Sequence, residues 1–285
     1  MDEPSGLPTV IIPDWKSGPS SNGNSYWDRF QSGCPHQAGL DKQYADALRE
    51  LAIEADLPEA TDVGSAFHKI LEHYYRGTLS QVAFDDSIHY VKEALRLFKT
   101  YRSRFPPDEF GKVVGSEIEF SLPESLALDL VGVPAFTGRI DLVVEVTQEA
   151  VEGLRRMEGR NLVSLVTPGI YLIDHKTMKR HDRDVEKKFY HGFQFHVYQA
   201  AWNALYPDRP ALGAIANCIT RTLLPETFSV FVPPPTPVQC AAFKAHYAKS
   251  YALKQFFGDD FKNRSKCFDW NKTCAHFNSG ACDRS

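Results

Sequence analysis

The sequence predicts an α/β protein with a mixed central sheet flanked by helices. Three observations predict it. Two segments with apolar residues at helical spacing come first. Several segments of strand-like alternation follow, interrupted by one helical stretch. A long amphipathic segment then closes the pattern before a cysteine-bearing tail.

Taken in order, residues 1–24 are rich in Pro, Gly and Ser and read as a flexible arm. Residues 25–44 hold aromatic side chains around Cys34-Pro35. A helix is expected from Asp62, which can cap it, because Val63, Phe67, Ile70, Leu71 and Tyr74 recur on one face. Gly77 is its terminator. A second helix is expected from about Asp85 or Asp86, with Ile88, Val91, Leu95, Phe98, Tyr101 and Phe105 as its stripe and Pro106-Pro107 as its stop.

Residues 112–122 alternate like a strand, and 127–133 and 136–146 read as two more, joined by a turn at Val133-Pro134. Residues 147–168 are polar and weakly patterned, an insertion with room for a short helix. A short strand at 169–176, a helix at 185–205, hairpin strands at 212–220 and 227–232, and a helix at 237–257 complete the expectation. The domain reading is an arm at 1–24, one main domain at 25–262 and a cysteine-rich tail at 263–285 that packs with the Cys34 region.

The bulk composition bounds the function. The 285 residues suit one elaborated domain or two small ones, and 43% are hydrophobic, enough for a sizeable core. A formal net charge of −4 excludes a general coat for nucleic acid, so any such contact needs a local basic patch. No secretory signal is read at the start, and no stretch is long and apolar enough to span a membrane. The expectation is a cytoplasmic protein without membrane contact.

An acidic cluster carries the chemistry. Hydrolysis of a phosphodiester needs divalent cations on the phosphate, an activated water and a stabilised leaving oxygen. Hard cations take carboxylate oxygens, and a nearby lysine can orient the water or offset charge. Within Ile170-Tyr171-Leu172-Ile173-Asp174-His175-Lys176-Thr177, alternation puts Asp174 and Lys176 on one side of an apolar strand. Asp141, between Ile140 and Leu142, is a second acid inside a strand, and Gly138 beside it would let backbone or substrate approach closely.

An acid-x-Lys triplet alone is a weak signal, and for this one the bland reading is a surface ion pair. Asp260-Phe261-Lys262 and Glu186-Lys187-Lys188 also match, but neither ends an apolar strand. His68 lies one helical turn after Gly64; alone it reads as a partly buried side chain. Glu117 and Glu119 point to one side of the preceding strand, and either can complete a metal shell. Gln194 and Tyr198 share a helix face and can meet a phosphate or base edge. Lys176, Lys179, Arg180, Arg183, Lys187 and Lys188 form the densest basic run.

The joint order of these pieces resembles the RecB-like branch of the PD-(D/E)XK nucleases. The pieces are Gly64-x-x-x-His68, Gly138-Arg139-Ile140-Asp141, Asp174-His175-Lys176-Thr177 and Gln194-x-x-x-Tyr198. Within that branch the chain looks most like the CRISPR-associated RecB-like exonucleases and their phage relatives, from about Ser25 onward. The resemblance implies a restriction-endonuclease-like core. It implies Mg²⁺ or Mn²⁺ on His68, Asp141 and Asp174, with Lys176 as the catalytic lysine and Glu117 (or Glu119) as the upstream acid. It also implies that Gln194 and Tyr198, with Lys179 and Arg180, lie on the DNA path.

Six cysteines are present, and Cys267, Cys274 and Cys282 crowd into the tail. That clustering suggests metal or cluster ligation rather than disulfides. Their spacing alone leaves free thiols and ligation equally open. The resemblance implies a [4Fe–4S] cluster on Cys34, Cys267, Cys274 and Cys282, with Zn²⁺ the alternative, and His36 or His276 able to stand in for Cys267. Cys218 and Cys240 read as buried thiols.

The resulting expectation is a Mg/Mn-dependent deoxyribonuclease acting in DNA processing, recombination or repair, exonucleolytic by resemblance. Its substrate would be single-stranded DNA or DNA ends. A homo-oligomer, or a recombination or CRISPR partner protein, in a bacterial or phage-infected cell, would be consistent with it. The competing expectation is a non-catalytic DNA-binding or assembly subunit that keeps the fold and the cluster.

Overall fold

The structure is a computed structural model and describes residues 27, 60–106, 110–156, 166–181 and 184–257. The arm at 1–24, the tail at 263–285, Arg183 and the four expected cluster cysteines lie outside the described residues. A five-stranded sheet in the order β1-β2-β3-β4-β5 forms the centre. Its strands are β1 (Lys112–Leu122), β2 (Phe136–Val146), β3 (Gly169–Met178), β4 (Ala211–Thr220) and β5 (Thr227–Val232). Only β3 and β4 pair parallel; the other neighbours are antiparallel, so the sheet is mixed as expected.

Helices cover both faces because both faces of the sheet are apolar. On one side lie α1 (Ala60–Tyr75), α2 (His89–Arg104) and α4 (Gln148–Arg156), with Phe67, Ile70, Leu97, Tyr101 and Val151 packed on Leu142, Val144, Ile173 and Ile215. On the other lie α3 (Glu124–Leu130), α6 (Phe193–Leu205) and α7 (Pro237–Phe257), with Ala127, Val197, Trp202 and Tyr247 against Phe120, Phe136, Leu172 and Ala216. β4 is buried from Gly213 to Thr220 because it is covered on both faces. Small residues at Gly213, Ala214 and Ala216 fit that crowding.

Helix α1 ends as its sequence predicts. Gly77 takes φ 68°, and Thr78 N–H donates to His73 O at 2.9 Å, the left-handed closure that glycine permits. Helix α2 starts later than expected, at His89, because Asp85 spends its carboxylate on Ser87 N–H at 3.0 Å and on the Ser87 hydroxyl in a local turn.

Two expectations need correction. Residues 127–133 are not a strand. Residues Glu124–Leu130 form α3, and its turn ends at Val131. The run from Leu126 to Leu130 mimics alternation, but Ala127 and Val131 are buried while Leu128 is exposed, which is helical spacing. The single helix expected over 185–205 is two, α5 (Val185–His191) and α6, separated at Gly192, whose backbone is extended at φ −71° and ψ 137°. A Cβ at Gly192 would sit 2.7 Å from Lys188 O, so the chain turns where only glycine fits.

Candidate metal centre

Strands β1 and β2 are irregular at one level. On β2, Phe136 and Ile140 join the core under α6, whereas Leu142 and Val144 join the core under α1. Strict alternation would keep all four on one face. The change falls at Asp141. Across from it, between the pairs Ser116↔Leu142 and Ile118↔Ile140, Glu117 has φ 53°. A non-glycine residue in that region is costly and marks a locally enforced geometry.

That kink points two carboxylates at α1. His68, Glu117 and Asp141 each offer a ligand atom, and these atoms lie within 4.8 Å of one another. His68 Nδ1 stands 3.4 Å from Asp141 Oδ2. Helix α1 comes this close because Gly64 faces β3, where a Cβ would lie 3.2 Å from Thr177 Oγ1. One imidazole and two carboxylates form a hard, oxygen-rich set suited to Mg²⁺ or Mn²⁺.

Asp174 and Lys176 leave β3 beside this trio. Lys176 Nζ donates to Asp174 Oδ1 at 3.1 Å and lies 2.8 Å from Oδ2. Gln194 Nε2, in the first turn of α6, donates to the same Oδ1 at 3.0 Å. Oδ2 is buried and receives no hydrogen bond of good geometry, despite its closeness to Lys176. The charge it faces is the Lys176 ammonium. His175, between the two, donates its backbone N–H to Asp141 Oδ2 at 2.8 Å.

The electrostatics describe three acids, Glu117, Asp141 and Asp174, crowded into one largely buried site. Burial pushes Asp174 up, and the neighbouring Asp141 adds to this against the pull of Lys176. Burial and the Asp141 charge raise Glu117 to about 7, although Arg139 opposes them. Burial would raise Asp141 too, but His68 overcomes it and holds the carboxylate well below its usual range. Burial lowers His68, and Asp141 outweighs this to leave it above its ordinary value. Burial also draws Lys176 down, but Asp174 more than compensates and keeps it charged. A bound dication would favour every ionised carboxylate here.

His68, Glu117 and Lys176 open onto a cleft of about 520 Å³ lined also by Gly64, Arg139 and Thr177, among others, with Asp141 and Asp174 set behind its lining. Of the two upstream acids, Glu117 lies in it. Glu119 is exposed and sits opposite Arg139 on the sheet. Lys179 and Arg180 are exposed just beyond β3. Tyr198 is packed rather than presented. Its ring meets Phe120 edge-on at 5.4 Å, and the close approach allowed by Gly138 is taken up by Phe120 and Tyr198, not by open space. Burial, with Asp174 nearby, raises its hydroxyl to about 12. Cys218 is buried, whereas Cys240 is partly exposed.

Two groups escaped the sequence reading. Arg139 Nε lies 2.6 Å from Glu117 Oε2 and lines the cleft. The alternation that paired Asp174 with Lys176 applies equally to Arg139 and Asp141. Beneath the site, the His175 ring stacks on Tyr75 at 5.7 Å and lies 3.5 Å from the Tyr101 hydroxyl. Tyr101 also contacts the Tyr75 hydroxyl at 2.6 Å and accepts from Asn217 Nδ2 at 2.9 Å. No local pattern announces this network, because its members come from α1, α2, β3 and β4.

No family model matches the chain, and no curated protein matches it. The fold is similar to a crystal structure from Eubacterium rectale named "Putative exonuclease", with a TM-score of 0.50 and 10% identity over 92% of this chain and 94% of that chain. A second solved structure, of SSO0001, gives a TM-score of 0.34 and 16% identity over 80% of this chain and 75% of that one. The first likeness concerns the fold alone. No helix among the described residues is long and apolar enough to cross a membrane.

Proposed function

We propose that the protein is a divalent-metal-dependent DNA nuclease, exonucleolytic in mode, of the RecB-like type its motifs resemble. The observation that carries this reading is the convergence of His68, Glu117 and Asp141, two of which line a cleft that Lys176 also lines, near the Asp174–Lys176 pair. The similarity of the fold to the chain named "Putative exonuclease" agrees with it.

In this reading His68, Asp141 and Asp174 hold Mg²⁺ or Mn²⁺, with Glu117 in the shell directly or through water. The ion supplies Lewis acidity to the scissile phosphate and its attacking water. Lys176, held by Asp174, orients that water and offsets charge on the phosphate. Gln194 fixes the rotamer of Asp174 and thereby the spacing of the set. Arg139 and Lys69, both at the cleft, offer cations to the incoming backbone. Lys179 and Arg180 extend that positive edge.

The test is cleavage of end-labelled single- and double-stranded DNA with Mg²⁺, Mn²⁺ or EDTA, beside Asp174→Ala. Metal-dependent cutting that the variant lacks is expected, and the product ladder reports the mode. Cutting retained in the variant sinks the site. Absence of cutting with DNA binding intact favours a non-catalytic binding subunit. Iron and zinc analysis of purified protein tests the separate proposal of a cluster on Cys34, Cys267, Cys274 and Cys282.

A further inference from the structure

The turn between β4 and β5 presents the two most exposed large apolar side chains among the described residues. Leu223 is 96% exposed and Leu224 84%. Such exposure costs solvation free energy, and a mobile loop would fold the leucines back or spread them out. This turn is braced instead. Thr220 N–H donates to Glu226 O at 2.9 Å, and Glu226 N–H returns to Thr220 Oγ1 at 2.9 Å. Thr222 Oγ1 donates to Leu224 O at 2.6 Å. From α2, Arg96 donates to Thr222 O at 2.9 Å and to Leu223 O at 3.2 Å.

The brace fixes the tip beyond the end of β3 that follows Lys176. In the parallel pair β3–β4, Lys176 is level with Cys218 and Met178 with Thr220. Arg221 N–H donates to Met178 O at 2.6 Å, so the turn rises from the end of the strand that carries the site. Leu223 lies three residues past the end of β4, beyond the level at which Thr220 pairs with Met178. Cations flank its base. Lys179 and Arg180 are exposed where β3 ends, and Arg221 stands near Glu93 together with Arg96. Arg221 Nε is buried without a hydrogen-bond partner. The acids there are Glu93, paired with Arg96, and Glu226, whose backbone closes the turn.

Two side chains are far too little for a stable protein contact, which buries about 1,200–2,000 Å². An apolar pair on a rigid tip between cations suits a polyanion with flat apolar faces, namely nucleic acid. Apolar side chains inserted at base steps unstack them. We propose that Leu223 and Leu224 form a wedge that seats against the terminal base pair of a DNA duplex and unstacks it, feeding one strand toward the cleft. This deepens the nuclease reading and rests on it for the identity of the strand delivered.

The test uses the full chain carrying Asp174→Asn, so that DNA is bound and not cut. The probe is a hairpin duplex with 2-aminopurine in the pair next to its open end, at protein concentrations that saturate anisotropy. A rise in fluorescence is expected, lost in Leu223→Ser/Leu224→Ser and restored in Leu223→Met/Leu224→Met. In the cutting-competent chain, the serine pair should lower the ratio of duplex to single-strand cleavage at least tenfold. An equal rise with the serine pair, no rise in either protein, or no binding of the duplex overturns the wedge. So does a serine-pair variant that changes oligomeric mass while fluorescence stays the same, since the tip is then a protein contact. Leucine-dependent unstacking by a chain that never cuts DNA would leave the wedge standing and remove the nuclease reading.

Discussion

The backbone amide of His175 donates to the carboxylate of Asp141 at 2.8 Å, tying the acid of β2 to the peptide between Asp174 and Lys176 on β3. The two acids therefore keep their separation through main chain. A side-chain change at 175 should leave this link intact while disturbing the packing beneath it.

Gln194→Ala removes the donor 3.0 Å from Asp174 Oδ1. Losing such an outer contact costs about 10–100-fold in metal affinity or activity. Titration of Mn²⁺ followed by calorimetry should show that loss. A DNA affinity lowered equally with and without metal would instead mark Gln194 as a DNA contact.

Metal binding should strengthen as pH rises through about 7, since Glu117 sits there and His68 stands above its ordinary value. Both must lose a proton to act as ligands. The stability sign follows from the same shift. The protonated Glu117 is the form favoured by the fold, so its contribution is full below the unfolded value of 4.5 and is lost as pH passes about 7. Glu117→Gln should raise the metal-free Tm at pH 8, leave it nearly unchanged at pH 4, and weaken metal binding at both.

Tyr101→Phe deletes the hydroxyl shared by Tyr75 and Asn217. An unsatisfied buried partner costs about 1–3 kcal/mol. Denaturant melts should report that loss, and combining it with Asn217→Leu should cost less than the sum of the two.

Gly138→Ala places a Cβ 2.4 Å from Phe120 Cζ and 3.1 Å from Tyr198 Cε1. Overpacking of this kind costs about 1–3 kcal/mol. The melt should show it, and Phe120→Leu should recover part of it by making room.

Lys179→Ala/Arg180→Ala should reduce the slope of log affinity against log salt by about 1–2, as expected when two phosphate contacts are lost. An unchanged slope in fluorescence anisotropy would place the DNA elsewhere.

Much of the architecture is local and so was legible. The helices and most strands follow from spacing, and Gly77 closes α1 as glycine should. The residues at 127–133 misled because a helix of seven residues offers too few turns to separate its period from alternation. In the site, Asp174 and Lys176 were readable from a single strand. That Glu117 rather than Glu119 meets His68 and Asp141 was not, since it depends on a kink shared by two strands. Gln194 and Tyr198 sit deeper than their shared helix face suggests, for a similar reason. Sequence shows that two residues share a helix face, but not that this face is pressed on Asp174 and Phe120.

The left-handed backbone at Glu117 makes the centre a gauge of strand register. Sliding β1 by one residue turns every side chain to the opposite face. A single-residue deletion between Gly115 and Glu117 could leave β1 hydrogen-bonded to β2 and the helices in place. It would nonetheless carry the carboxylate away from Asp141. Such a chain would keep its shape while parting Glu117 from His68 and Asp141, so the length of β1 matters to the cluster as much as the acids themselves.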